Sequence, residues 1–451
     1  MAHFLISVDE AKALIKDRVV ALTPSRMLLL DALGLRLSED LFSPVSMPGF
    51  AQSAMDGYAF SWAGYQQFGA LQIVGEVAAG AAEAGPRPAP NEAVRIFTGA
   101  PVPEGFDTVV MQEKVRVDDG LLFVDDVSLV QGRNVRLAGS EIVQGALAME
   151  AGTQITPAAV GFLASLGLTH VRVIPSPRIA LIVTGDELQT PGAPLSFGQV
   201  YESNSQLLQT ALQWLRFSQV KIHYAKDDLS SLTETLAAVI QVSDLVLLTG
   251  GVSVGDYDFV PKAAAAAGVE TVFHKIKQKP GKPLFFGVKE GVVTSMEGVG
   301  ASADGVTALA DAVGAVAESK PSAEDAHAKS VVSTAKQTVV FGLPGNPASV
   351  LTCFYQYVTL ALERLTGTKV APVACRAQIQ SGYQKPEGLT HFLKADLQAS
   401  ESEGTSPEVF LLGAQESFRL SSFAVSNAIV EIPAETTRVE PGDWVTVHPI
   451  G

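Results

Sequence analysis

Cysteine is nearly absent. Cys353 and Cys375 are the two in 451 residues, and they have no C-x-x-C spacing. That excludes a disulfide-stapled scaffold and points to a reducing compartment. The seven histidines are scattered, with no pair at zinc-ligand spacing, which argues against a structural zinc site. Charge is scarce as well, at 18% of residues, and its balance is −15. A chain of that sign is not a general binder of nucleic acid or of anionic membrane surfaces. No apolar run approaches the roughly 18 residues that a membrane span needs. Asp9, Glu10 and Lys12 interrupt the segment where a signal peptide would carry its apolar stretch. A soluble, cytoplasmic protein is expected. What the chain does have is 47% hydrophobic residues, enough for a large core and incompatible with wholesale disorder. Its length predicts about two to four domains.

Residues 7–22 read as an amphipathic helix, with Ser7 as N-cap and Glu10 completing a capping box. Between 70 and 144, short alternating runs (LQIVGEV, AVRIF, TVVMQ, KVRV, LLFV) are separated by Gly, Pro and Asp. They predict an antiparallel β module of a kind that can close into a small barrel. A helix with Pro157 just inside its start follows. From 178 strands alternate with helices: RIALIV, SNSQLLQTALQWL, VKIHYA, LSSLTETLAAVIQV, LVLLTGG, FVPKAAAAAG, ETVFHKI, KPLFFGV, VVFGLPG and a long helix from Asn346. This is the pattern of a doubly wound α/β domain. Past Gly367 short strands return in a small β domain. Residues 289–337, rich in Ala, Gly, Ser and charge, fit none of this and read as a surface excursion.

The chain turns on DLVLLTGGVSVGDYD, residues 244–258. In parallel sheets ligands sit at the carboxyl ends of strands, and Gly250, Gly251 and Gly255 would let backbone N–H groups approach one. Asp256 and Tyr257 stand where a Walker A loop needs Lys and Ser/Thr, so this is not a P-loop. A tight turn with no ligand remains an equal reading. TGDEL (184–188), KDD (226–228) and GLPGNPAS (342–349) also fall where strand gives way to helix, and would line the same sheet edge. Helix N-termini there carry partial positive charge suited to a phosphate.

Full positive charge comes from HKIKQKPGKP, residues 274–283. Alternation on a strand puts Lys275, Lys277 and Lys279 on one face, and Pro280-Gly281 turns the chain to bring Lys282 round. A solvated lysine edge is the bland alternative. The carboxylates near these loops are Asp186, Glu187, Asp227, Asp228, Asp256 and Asp258. Any one of them could be a helix cap, but oxygen ligands without Cys or His suit Mg²⁺ held between protein and phosphate. Together they point to an anionic, phosphate-bearing ligand and a divalent metal.

SAMDGYA, RIFTGAPVPEGFDTVVMQE, VTGDEL, TGGVSVGDYD, KPGKP and GLPGNPAS occur in this order. The set resembles the MoeA family of molybdopterin molybdenumtransferases, which includes the E domains of gephyrin and of the plant protein Cnx1. The resemblance implies a multidomain α/β protein. Residues 178–368 would be a doubly wound, molybdopterin-binding-like α/β domain carrying the 289–337 excursion. Residues 48–144 would be an inserted β module, 1–47 with 145–177 an elongated linking domain of helix and strand, and 369–451 a small C-terminal β domain. It implies transfer of molybdenum from molybdate into adenylylated molybdopterin, with Mg²⁺-dependent release of AMP. It also implies a homodimer whose active cleft is shared between subunits, and allows contact with molybdopterin adenylyltransferase and molybdoenzyme chaperones.

By position, the resemblance assigns catalysis to Asp56, Glu187, Asp227 and Asp258, the last three also holding metal. Thr98, Glu141, Gly250, Gly251, Ser253, Lys279, Lys282, Pro344 and Pro347 would bind substrate. Two motifs depart from the family. GSEI (139–142) stands where GEDI is usual, so Glu141 keeps a carboxylate and Ser140 loses one; ESFRLSS (416–422) carries Arg419 in an unusual place. An adenylyltransferase of the same α/β family is the enzymatic alternative, though such proteins lack the β module and the C-terminal domain. A scaffold on the same fold is the non-enzymatic one.

Overall fold

Apolar runs bounded by polar loops become buried strands wherever both faces of a sheet are covered. The computed structural model describes residues 5–81, 87–251, 259–291, 336–398 and 406–450. The chain divides into two units, Met1–Thr23 with Pro175–Gly451, and Pro24–Ile174.

In the larger unit six strands form one sheet in the order Val220–Ala225, Ile179–Thr184, Leu245–Thr249, Lys336–Leu343, Phe285–Gly291, Glu270–His274. The first four run parallel, and the last two pairings are antiparallel. Alternate residues serve opposite faces. Ile179, Leu181, Leu245 and Leu247 pack under helices Asn204–Trp214 and Pro347–Cys353. Ala180, Ile182, Val246 and Leu248 pack under Leu229–Val242 and Phe259–Ala266. Central strand Leu245–Thr249 is buried throughout, and this is the doubly wound domain read from the sequence.

The opening helix, Val8–Arg18, has Ser7 Oγ accepting from the Glu10 N–H at 3.2 Å. Its Ala11 and Ile15 enter the same core as the Asn204 helix, so residues 5–23 go with the α/β part and not with 24–47. Residues 289–291 and 336–337, read as ends of the excursion, are paired strand; 292–335 lie outside the described residues. The long helix from Asn346 is Pro347–Cys353, a π-helical turn Phe354–Val358, then Thr359–Thr366.

The C-terminal β region closes on itself. Thr390–Gln398 pairs with Glu408–Leu411, then come Cys375–Ile379, Trp444–Pro449 and Ala428–Ile432, which pairs back onto Thr390–Gln398. Inward residues such as Leu393, Ala395, Val430 and Val447 fill this barrel. Gln278–Lys279 adds alongside Thr390–His391.

The smaller unit holds a six-stranded sheet, ordered Thr108–Met111, Gly57–Phe60, Glu92–Ile96, Ala70–Val77, Leu121–Val124, Val115–Asp118. The five runs read from the sequence are all strands. One pair, Ala70–Val77 with Glu92–Ile96, is parallel, and among the described residues the sheet does not close into a barrel. Segments 24–47 and 145–174 pair together, as in Ser25–Leu28 with His170–Ile174.

Candidate active site

The carboxyl ends of the parallel strands at Thr184, Thr249 and Leu343 feed three loops of the larger unit. Gly250 follows Thr249 with φ +91°, and a Cβ there would fall 2.4 Å from the Thr184 carbonyl oxygen. Only glycine lets these two loops approach so closely. A pocket of 880 Å³ opens at this edge. Of the residues expected from the sequence, Glu187, Gly250, Gly251, Lys279, Lys282, Pro344 and Pro347 line it. Ser253 and Asp258 lie outside the described residues.

The lysine run is not one strand. Strand Glu270–His274 ends because Lys275 takes φ +81°, and a two-residue strand, Gln278–Lys279, follows. Alternation survives the break: Ile276 and Gln278 are buried, while Lys277 and Lys279 are exposed. Ile276 donates to the Lys282 carbonyl at 2.9 Å, closing the turn that carries Lys279 and Lys282.

Asp227 is half-buried outside the pocket wall, with Thr184 Oγ1 donating to its Oδ1 at 3.4 Å. A Cβ at Gly251 would come 4.0 Å from that same oxygen. Burial raises its carboxyl, outweighing the Thr184 hydrogen bond, and the charges of Asp186, Glu187 and Asp228 raise it further. Asp228 is a helix cap, its Oδ1 accepting from the Ser231 N–H at 2.9 Å. Among the described residues no three His, Cys, Asp or Glu side chains form a ready metal cluster.

In the smaller unit Asp56 and Thr98 meet. Asp56 Oδ1 accepts from the Thr98 N–H at 2.7 Å and from Thr98 Oγ1 at 2.8 Å. The backbone bond first, then the hydroxyl, hold the Asp56 carboxyl below its ordinary range. It is thereby an anionic acceptor and a weak base. Glu141 is exposed, and its N–H donates to the Met47 carbonyl at 3.0 Å.

Other pocket residues were not read from the sequence. Glu202 caps the helix Asn204–Trp214, accepting from the Ser205 N–H at 2.8 Å and from its hydroxyl at 2.5 Å. Asn204 and Asn346 instead brace the rim, donating to the Gly345 carbonyl at 2.8 Å and to Ser417 Oγ at 3.0 Å. Barrel segment 415–418 reaches the pocket because Lys394 is buried and its Nζ donates to the carbonyls of Ala414, Glu416 and Arg419. Arg419 itself pairs with Glu416 at 3.2 Å. A smaller pocket of 430 Å³ shares Lys279, Pro280 and Phe418 with the first, and contains His391 bonded to Tyr383 at 2.8 Å.

Three family descriptions match in succession: the MoeA N-terminal region (domain I and II) over residues 6–167, a probable molybdopterin binding domain over 180–364, and the MoeA C-terminal region (domain IV) over 376–450. The molybdopterin molybdenumtransferase of Haemophilus influenzae is 30% identical over 449 residues, covering 99% of this chain and 98% of that one. Molybdopterin molybdenumtransferase 2 of Mycobacterium tuberculosis is 31% identical over 458 residues, 98% of each. The fold agrees with a crystal structure of a molybdopterin biosynthesis MoeA protein from Pyrococcus horikosii, with TM-score 0.73, 24% identity and 99% of both chains covered. The chain therefore belongs to the MoeA family of molybdopterin molybdenumtransferases.

Proposed function

We propose that this chain transfers molybdenum from molybdate into adenylylated molybdopterin, releasing AMP and forming molybdenum cofactor. The observation that carries the reading is a pocket walled by Lys279 and Lys282 in a chain of net charge −15. Both substrates are anions that the average field of the protein repels, so a local cationic wall is what admits them. A lysine about 4 Å from a phosphate gains roughly 4 kcal/mol at an effective dielectric near 20. An ammonium is a point charge, so the same two side chains suit phosphate and molybdate oxygens alike.

Mg²⁺ would bind among the carboxylates. Burial and the charges of Asp186, Glu187 and Asp228 all disfavour a bare carboxylate at Asp227, a penalty that a divalent cation bound there would relieve. Glu187 and Asp227, with Asp258 of the family motif, would hold the metal through oxygen ligands of the hard type it prefers. Bound there, it would neutralise the diphosphate and favour departure of AMP. Glu187 on the pocket wall orients that end of the substrate, while Lys279 and Lys282 hold the oxyanion. The family further implies a homodimer with two equivalent sites.

Wild-type protein given adenylylated molybdopterin, molybdate and Mg²⁺ should yield AMP and active cofactor together. Asp227→Asn should cut AMP release at least tenfold without unfolding the chain. Lys282→Gln should raise the molybdate requirement, with a weaker salt dependence than wild type. No AMP from the wild type, or full turnover with excess chelator, would refute the scheme. Mixing Asp56→Ala with Asp258→Ala chains, each inactive alone, should restore part of the activity.

A further inference from the structure

The turn that carries the two pocket lysines is shaped from below by one buried amide. Gln278 is 1% exposed, and its Nε2 donates to the carbonyls of Pro280 at 3.0 Å and Gly281 at 3.1 Å. Its Oε1 accepts from the hydroxyl of Tyr357, which is wholly buried on the π-helical turn Phe354–Val358. Gly281 has no room for a side chain: φ is +85°, and a Cβ would fall 2.6 Å from Cys353 Sγ and 2.9 Å from Gln278 Nε2. A glutamine amide has two N–H donors and one carbonyl acceptor, so bonding at both ends fixes which way it faces. Each carbonyl oxygen it holds is a partial negative charge. Left free on the wall of an anion pocket, that charge would oppose the ligand.

We propose that Gln278, aligned by Tyr357, is the positioning residue of the Lys279–Lys282 turn. It engages the Pro280 and Gly281 carbonyls inside the protein, so that the wall between the two ammonium groups offers an oxyanion no competing acceptor. The inference rests on reading the pocket as an anion site and adds what sets its affinity. Gln278 also lines the pocket, but in this scheme it lends the ligand no donor, its N–H groups being engaged by the turn. It acts through the lysines, and its effect should vanish when they cannot respond.

The test is equilibrium dialysis of the full-length chain with molybdate, inorganic phosphate serving as competitor. Gln278→Met keeps the length of the side chain and removes both its donors and its acceptor. Its molybdate Kd should rise about tenfold, since small displacements of positioned groups cost that much or more. Tyr357→Phe, which keeps the buried ring, should raise it about threefold and serves if the first variant folds poorly. The KM for molybdate should rise with kcat little changed. In a Lys282→Gln background Gln278→Met should add less than twofold, whereas a merely structural role would cost the same in both backgrounds. Unchanged molybdate affinity in a folded variant, or equal losses in the two backgrounds, would overturn the proposal. Hydrogen exchange at the Ile276 amide, which donates to the Lys282 carbonyl across the turn, separates this inference from the functional reading. Faster exchange in Gln278→Met supports the hold on the turn even if wild type retained no molybdate, a result that would sink the anion reading. Unchanged exchange removes the positioning role without reference to any ligand.

Discussion

Gly250 and Gly251 are neighbours with positive φ, yet they should answer the same substitution differently. At Gly251, φ is +65° and the nearest atom to a new Cβ is Val260 Cγ2 at 3.5 Å, an ordinary contact. Gly251→Ala should therefore cost only the left-handed backbone strain, about 1–2 kcal/mol. At Gly250 the same strain applies at φ +91°, but the Cβ also meets the Thr184 carbonyl oxygen at 2.4 Å and Thr184 Oγ1 at 2.9 Å. That oxygen belongs to a buried central strand and cannot swing away. Overpacking against fixed atoms adds about 1–3 kcal/mol, so Gly250→Ala should cost about 2–5 kcal/mol in all. Gly345 is the control, with no positive φ and no atom within 4 Å of a new Cβ. Gly345→Ala should be neutral, or stabilise by up to about 1 kcal/mol through the unfolded chain. Urea denaturation read by peptide-resolved hydrogen exchange over residues 178–249 would rank the three. Equal losses at 250 and 251 would show that the Thr184 approach does not determine the loop.

Two further outcomes follow from buried charge. Burial first, then Lys385 and Lys279, push His391 down to about 4, against about 6.5 unfolded. Below pH 6.5 the unfolded chain takes up a proton that the folded one refuses, so stability should fall between pH 6.5 and 4 and level off below. The loss assignable to this group is about 2 kcal/mol after allowance for solvent, and His391→Gln should flatten the slope; parallel wild-type and variant profiles would contradict it. Asp244, 6% exposed, accepts from the Arg178 backbone N–H at 2.8 Å and from its guanidinium at 2.7 and 3.0 Å. Asp244→Ala strands that backbone N–H while the half-exposed guanidinium returns to water, and should cost about 1–3 kcal/mol; Arg178→Ala leaves the buried carboxylate without its cation and should cost more. The reverse order in thermal melts would refute this.

The α/β fold was legible because its signals are local. Leu245–Thr249 and Ile179–Thr184 are continuous apolar runs, and a strand buried on both faces needs little more. The opening helix shows the limit. Its cap at Ser7 is written in four adjacent residues, but its partners, Leu208, Phe354 and Leu365, are far along the chain. No short window says that Ala11 and Ile15 pack there and not against residues 24–47. The β module failed in a similar way: alternation marks each strand, while the parallel pairing of Ala70–Val77 with Glu92–Ile96 depends on which strands become neighbours.

The site divides along the same line. Charged, glycine and proline residues in loops advertise themselves, and seven of them were found on one pocket wall. Buried amides do not. Gln278 stands between Lys277 and Lys279 as one more polar residue of a polar run, yet it is buried where they are exposed. Its meaning depends on Tyr357 and Cys353, about eighty positions away and brought in by a helix with a π-helical turn. Asn346 carries the same lesson: its sequence position says helix cap, but its side chain bonds Ser417 of the barrel segment instead. A lysine can attract an anion at a distance, since charge acts through space without exact contact. Holding that lysine in place takes short, directed hydrogen bonds that exist only after distant segments have packed. Sequence patterns therefore disclose the groups that meet a ligand sooner than the groups that hold them, and the group that holds the lysine turn is a neutral amide.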